Sequence, residues 1–238
     1  MNSIKKKARV AGLLYLLASI PAPFGLIYVP NKLIVTGDAT ATADHVRASE
    51  TLLRIGIGSE LIGSIIFIFV VLALYQLFKP VSENHALALA TLLLISMPIS
   101  FFSLLNEMAA LTVVNGASFL SGFDQRQLDA LAYLFFRLRS HGIVIAQIFW
   151  GLWLFPFGIL VIRSGFIPRF LGFLLFIAGL GYVADSMTAL LLPAYRHIVN
   201  QFAGNLELTE LPIIFWLLIW GAKEQRSGAI PPDQAFAR

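Results

Sequence analysis

Five times between Ala8 and Leu192 this chain runs for twenty or more residues on mostly apolar side chains, over 8–29, 52–78, 86–114, 141–162 and 169–192. As an α-helix rising about 1.5 Å per residue, each run is long enough to cross hydrocarbon roughly 30 Å thick. Backbone placed in hydrocarbon must satisfy its own hydrogen bonds, which leaves helices and closed barrels as the spanning forms. The runs are continuous rather than alternating, so helices are expected. A sixth run, Leu211 to Ala222, is apolar but too short for the same thickness. To cross, it must take in Leu206 to Glu210, carrying Glu207 and Glu210 toward the membrane, and 206–222 is read as the sixth span. Composition agrees: 58% of the 238 residues are hydrophobic and 13% charged, against about 25% charged in ordinary soluble domains. The expected fold is therefore all-α, a polytopic bundle of six transmembrane helices forming one membrane domain over 1–222. A polar tail at 223–238, disordered and cytoplasmic, follows it.

The net charge of +4 is not the mark of a nucleic-acid binder, because the basic residues sit at span ends and form no single stripe. Lys5, Lys6, Lys7 and Arg9 directly precede the first run, as on a cytoplasmic flank beside anionic headgroups. Ten of the 17 Lys and Arg fall on the side holding the N-terminus, the short turns at Lys79 and at Arg163 to Arg169, and the C-terminal tail. The other seven are spread over longer connections. Both termini are thus expected in the cytoplasm. A cleaved signal peptide is not expected. Small residues are needed at the −1 and −3 positions, whereas Ile20 lies two residues before Ala22 and Pro23 would follow the cut. There are no cysteines, which rules out disulfides and thiolate metal sites.

Ionisable residues inside spans are costly, so each is a site candidate. Five stand out: Glu60, Glu107, His141, Asp185 and Glu210. Counting along alternating spans places all five in the outer half, which predicts one polar cavity opening outward. Ser103 and Glu107 share a helix face at i,i+4, Asn106 adjoins them, and Ser96 and Ser100 continue the face. Glu60 and Ser64 repeat that spacing. Three readings compete. Facing carboxylates in a poorly solvated cavity would bind a small cation or a protonatable solute. Glu107, Asp185 and His141 could instead hold a divalent metal, although no H-x-x-H or H-E-x-x-H spacing occurs. Or the carboxylates are interhelical glue, with Arg54, Arg137 or Arg139 pairing them. The aromatic run Phe149 to Phe157 is read as dense packing around a kink at Pro156.

The stretches FWGLWLFPFGILVIRSGFIPRFLG (149–172), KKKARVAGLLYLL (5–17) and LIVTGDATATADHVRASETLLRIGI (33–57) resemble a bacterial integral membrane family catalogued as domain of unknown function 4386. The resemblance runs to about Gly221. It implies a multi-pass protein of the bacterial inner membrane and supplies neither activity nor catalytic residues. The partners expected are the lipid bilayer and a small solute or cation, with no nucleic acid. The leading functional expectation is binding or movement of that solute. A metal-assisted hydrolase acting on lipid and a non-catalytic sensor or accessory subunit are the alternatives, and enzyme activity is not favoured.

Overall fold

The computed structural model describes residues 3–222, and among these it is all-helical with six segments long and apolar enough to cross a membrane. The tail expected at 223–238 lies outside the described residues. Span 1 is assembled from α1 (Ser3–Ser19), α2 (Pro21–Pro23), a π-turn at Phe24–Tyr28 and α3 (Val29–Leu33). Span 2 is α5 (Glu50–Phe78) and span 3 is α6 (Glu83–Val114). Span 4 joins α7 (Gln125–Leu152) to α8 (Leu154–Ser164), and span 5 is α9 (Arg169–Leu191). Span 6 joins α10 (Arg196–Glu207), through a 3-10 turn at Leu208–Glu210, to α11 (Leu211–Ile219).

The interruptions have local causes. Proline lacks an amide hydrogen and its ring collides with the carbonyl four residues back. Ser19 stands four before Pro23, and α1 ends there. Leu152 stands four before Pro156, and α7 ends there. The break expected at Pro156 thus falls one turn earlier, at Trp153. After Pro23 the chain widens into the π-turn, whose final bond runs from the Val29 amide to the Phe24 carbonyl. Bulges of this kind are frequent at functional sites.

Two boundaries differ from the sequence expectation. The polar stretch before His141 and the span read from 141 are one uninterrupted helix, α7. A capping box starts α7: Asp124 accepts from the Gln127 amide and the Gln127 side chain accepts from the Asp124 amide, both at 2.9 Å. No proline separates Arg139 from His141, so nothing stops the helix between them. Span 6 also begins earlier, at Pro193, so that α10 packs on α9 through buried Ala203.

Connections at one end of the bundle are tight turns, at 79–82 and 165–168. At the opposite end two are long, at 34–49 and 115–124. The first long connection folds into α4 (Ala39–Ala48), capped by the Asp38 carboxylate on the Ala41 amide. It lies against α7, where Arg47 pairs with buried Asp129 and Tyr133 Oη accepts from the Gly37 amide at 2.8 Å.

The centre of the bundle is aromatic. Trp153 stacks on Phe157 at 5.3 Å, and Tyr15 meets Phe67 edge-on at 5.3 Å. Phe78 closes on Phe157 at 5.6 Å. The run Phe149 to Phe157 is therefore packing, as expected. Spans 4 and 5 approach closely through glycine: a Cβ on Gly151 would lie 2.7 Å from the Gly179 carbonyl oxygen, and one on Gly158 2.8 Å from that of Gly172. Without an aqueous driving force between helices, such contacts carry much of the association. Not every span glycine has this role; Gly58 has open space beside it. Replacing Gly151 with leucine is expected to destabilise the bundle by about 1–3 kcal/mol or more, measured as a lower unfolding midpoint in detergent, whereas Gly58→Leu leaves it unchanged.

Candidate functional site

The buried charge of the bundle centres on Arg139. Its position follows from a stripe on α7: Leu128, Ala132, Phe136 and Arg139 recur at helical spacing and all are buried. A guanidinium on an apolar stripe must find counter-charge inside the protein. Arg139 Nε donates to Glu107 Oε2 at 2.9 Å, and its Nη2 donates to Glu60 Oε1 at 2.8 Å and to the Gly25 carbonyl at 3.3 Å. One side chain on span 4 thereby ties together span 3, span 2 and the π-turn of span 1. The three charged residues are 2–5% exposed, low enough that water screens them little.

The surroundings are built to admit this junction. A Cβ on Gly25 would fall 2.5 Å from the Gly56 carbonyl oxygen and 3.2 Å from the Glu60 Cβ. The π-turn can therefore lie against α5 only with glycine there. Gly142 makes equivalent room for Ser103 of α6. Ser103 donates to the Ile99 carbonyl and Asn106 to the Phe102 carbonyl of their own helix, at 2.9 and 2.8 Å. Both are buried beside the triad, and neither bonds its charged members. Next to Glu60 lies a cavity of about 30 Å³, lined by Glu60, Ser64, Ser100, Ala22, Leu104 and Trp150 among others. A cavity with more than roughly 10–15 Å³ for water centres, and polar walls, can hold a water.

The five sequence candidates do not form one centre. Glu60 and Glu107 share Arg139. Asp185 is buried, but it turns toward span 6, where Asn200 Nδ2 donates to its Oδ1 at 3.2 Å and Glu207 is its acidic neighbour. Gly181, one turn earlier, sets this facing by letting Ala203 and Leu206 of α10 approach. His141 is exposed on α7 and is not part of the triad. Glu210 is not near the long-connection end as counted from the sequence. With span 6 running Pro193–Ile219 it lies past the midpoint, and Tyr15 of α1 donates to its Oε1. The expectation of five groups at one level is corrected accordingly. The proposed metal set of His141, Glu107 and Asp185 is not assembled, and among the described residues no three His, Cys, Asp or Glu are grouped to hold an ion. Of the three arginines weighed as partners, Arg139 takes the carboxylates; Arg54 pairs with Glu50 at 2.7 Å, and Arg137 is exposed.

The site thus rests on a helix junction at the level of Glu60, Glu107 and Arg139, within an all-helical six-span chain. Residues 10–221 match the family described as domain of unknown function (DUF4386). The chain belongs to that family. An uncharacterised protein of Archaeoglobus fulgidus is 33% identical over 159 residues, covering 67% of this chain and 79% of the relative. No solved structure matches. The matched region contains the triad, the π-turn and the cavity, so all three belong to the family domain in this chain.

Removing one member of a buried ion cluster strands the rest without counter-charge, at a cost of about 3–5 kcal/mol. Arg139→Met should therefore lower the unfolding midpoint in detergent sharply. The triple variant R139M/E60Q/E107Q, which removes the charges together, should recover most of that loss.

Proposed function

We propose that this protein binds and moves a small cation or protonatable solute across a cell membrane, with the Glu60–Arg139–Glu107 triad as its proton-exchanging centre. One observation carries the reading: two buried carboxylates converge on one guanidinium. The cluster is neutral when the carboxylates share one proton and carries one negative charge when that proton leaves. In a weakly screened interior, that single charge is the strongest local influence on whether a cation enters. The irregular backbone of span 1 supports the same reading. Broken helices at membrane depth are tolerated where they are buried in protein or line a cavity, and here the Gly25 carbonyl of the π-turn is a third acceptor for Arg139. The cavity beside Glu60 suits water or a bare ion and is much smaller than a lipid. With His141, Glu107 and Asp185 dispersed, nothing in the geometry favours lipid hydrolysis.

The distribution of Lys and Arg supports cytoplasmic termini, so that the triad lies in the half facing outward, in the cytoplasmic membrane of the cell (the inner membrane in a two-membrane bacterium). The chain contains no cysteine, which makes the test direct. In intact cells a membrane-impermeant maleimide should label Ser121→Cys in the long connection and leave Ser82→Cys in the tight turn unlabelled. The opposite pattern reverses the orientation.

Transport is tested with purified protein in liposomes carrying an internal pH dye, under an imposed potential, with sodium, potassium or methylammonium as companion solute. The expected result is proton movement above empty vesicles in the wild type, lost in Glu107→Gln and in Glu60→Gln. Wild-type flux equal to that of empty vesicles with every companion overturns the transport reading and leaves the triad as an interhelical tie.

A further inference from the structure

Glu210 is a further acidic group within a span, half-buried, on a different helix and at a different level from the triad. Among the described residues the polar side chain bonded to it is Tyr15, itself buried, whose hydroxyl donates to Oε1. No Lys, Arg or His forms an ion pair with it among the described residues. Glu207, the other acid of this segment, faces Asp185 and Tyr182 instead. Thr209 is occupied by the Leu174 and Leu206 carbonyls at 2.9 and 2.6 Å. Leu208 and Leu211, on either side, are exposed on the surface that a bilayer covers. A carboxylate without counter-charge is costly in such a setting, whereas a neutral carboxyl hydrogen-bonded to a tyrosine is accommodated.

Its position relative to the triad gives this group a role. Tyr15 packs against Phe67 of α5 and lies 6.1 Å, ring to ring, from Trp153. Phe67 lies two turns beyond Glu60, roughly 10 Å along the helix axis at about 1.5 Å per residue. The cavity lies at the Glu60 end of that interval and stops short of Tyr15 and Glu210. It touches Glu60 at one end, Ser64 one turn on, Ser100 two turns before Glu107, and Trp150 one turn before Trp153. From the long-connection end inward, the order is therefore triad, cavity with two serine hydroxyls, then Tyr15 and Glu210.

We infer that Tyr15 and Glu210 form a second proton-binding station, midway through the bundle, which receives protons from the triad by way of the hydroxyl-lined cavity. The inference rests on the proton-exchanging reading of the triad and adds the site that would make the exchange directional. A proton leaving the Glu60–Glu107 pair passes to cavity water and then to the Glu210 carboxylate, with Tyr15 holding that oxygen; no other bond is made or broken. Asp185 of α9 and Glu207 of α10 face each other across the contact between those helices and take no part.

Two measurements test it on the full-length protein in liposomes. Dicyclohexylcarbodiimide enters from the lipid and adds to a protonated carboxyl: the acid oxygen bonds the carbodiimide carbon, the acid proton goes to nitrogen, and acyl migration leaves a stable adduct. Mass spectrometry should find that adduct on Glu210 in the wild type and still in Glu107→Gln, and the treated wild type should lose proton flux. Glu210→Gln and Tyr15→Phe should each reduce flux toward the empty-vesicle background, with Glu210→Asp retaining more than Glu210→Gln. Flux lost in Glu107→Gln but unchanged in both Glu210→Gln and Tyr15→Phe overturns the station while leaving the triad's role intact. Absence of a Glu210 adduct in folded protein overturns it independently. Absence of any wild-type flux removes the transport reading itself and the path with it.

Discussion

Hydrocarbon offers no water to a charged group, and the bundle answers that constraint at one point by sharing Arg139 among three acceptors on three other spans. Two of these acceptors are carboxylates and the third is a backbone carbonyl freed by an irregular turn. Spans 1 to 4 therefore converge on the triad, and their relative rotations are fixed there as firmly as by packing. The glycines at positions 25 and 142 follow from it, since a side chain at either would push apart the helices that the charges draw together. Such a cluster is a poor way to gain stability, because desolvating the ions cancels much of their attraction.

Spans 4, 5 and 6 are joined on different terms. Backbone meets backbone at Gly151 with Gly179 and at Gly158 with Gly172, and the aromatic centre fills the space toward spans 1 to 3. Asp185 and Asn200 add a polar contact between spans 5 and 6. The bundle thus has one side organised by ions and one by close steric fit, with Tyr15 and Trp153 at the seam.

The architecture was legible because hydropathy reports length directly: five spans could be placed by apolar runs alone, and the sixth by the requirement that it reach across. The candidate site was legible only in part. Glu60 and Glu107 stood out as isolated charges in apolar runs. Arg139 did not, because an arginine next to a polar stretch reads as the edge of a span, and its pairing was one alternative among several. The signal that identifies it is its place on the Leu128, Ala132, Phe136 stripe, which assigns it inward whatever the local hydropathy. Glu210 was misplaced for a related reason. Its depth depends on where span 6 begins, and the amphipathic segment from Pro193 has too many polar residues to be recognised as part of a span until Ala203 and Leu206 are seen against Gly181 of α9. No count along a chain shows which face of a helix a neighbour will occupy. For that reason His141 and Asp185, correctly placed along their helices, belong to other surroundings.

The wide turn at Phe24–Tyr28 places the two parts of span 1 out of phase. A π-turn amounts to one residue inserted into an α-helix, and each inserted residue rotates everything beyond it by about 100°. Val29 and Leu33 consequently pack on the group of residues around Leu53 and Val46, while Ala8, Ala11 and Tyr15 pack on the one around Trp153. A single segment thus keeps each of its halves facing its own core across the break. Taking one residue out of the turn would bring the halves back into step, and would leave span 1 able to satisfy only one of them.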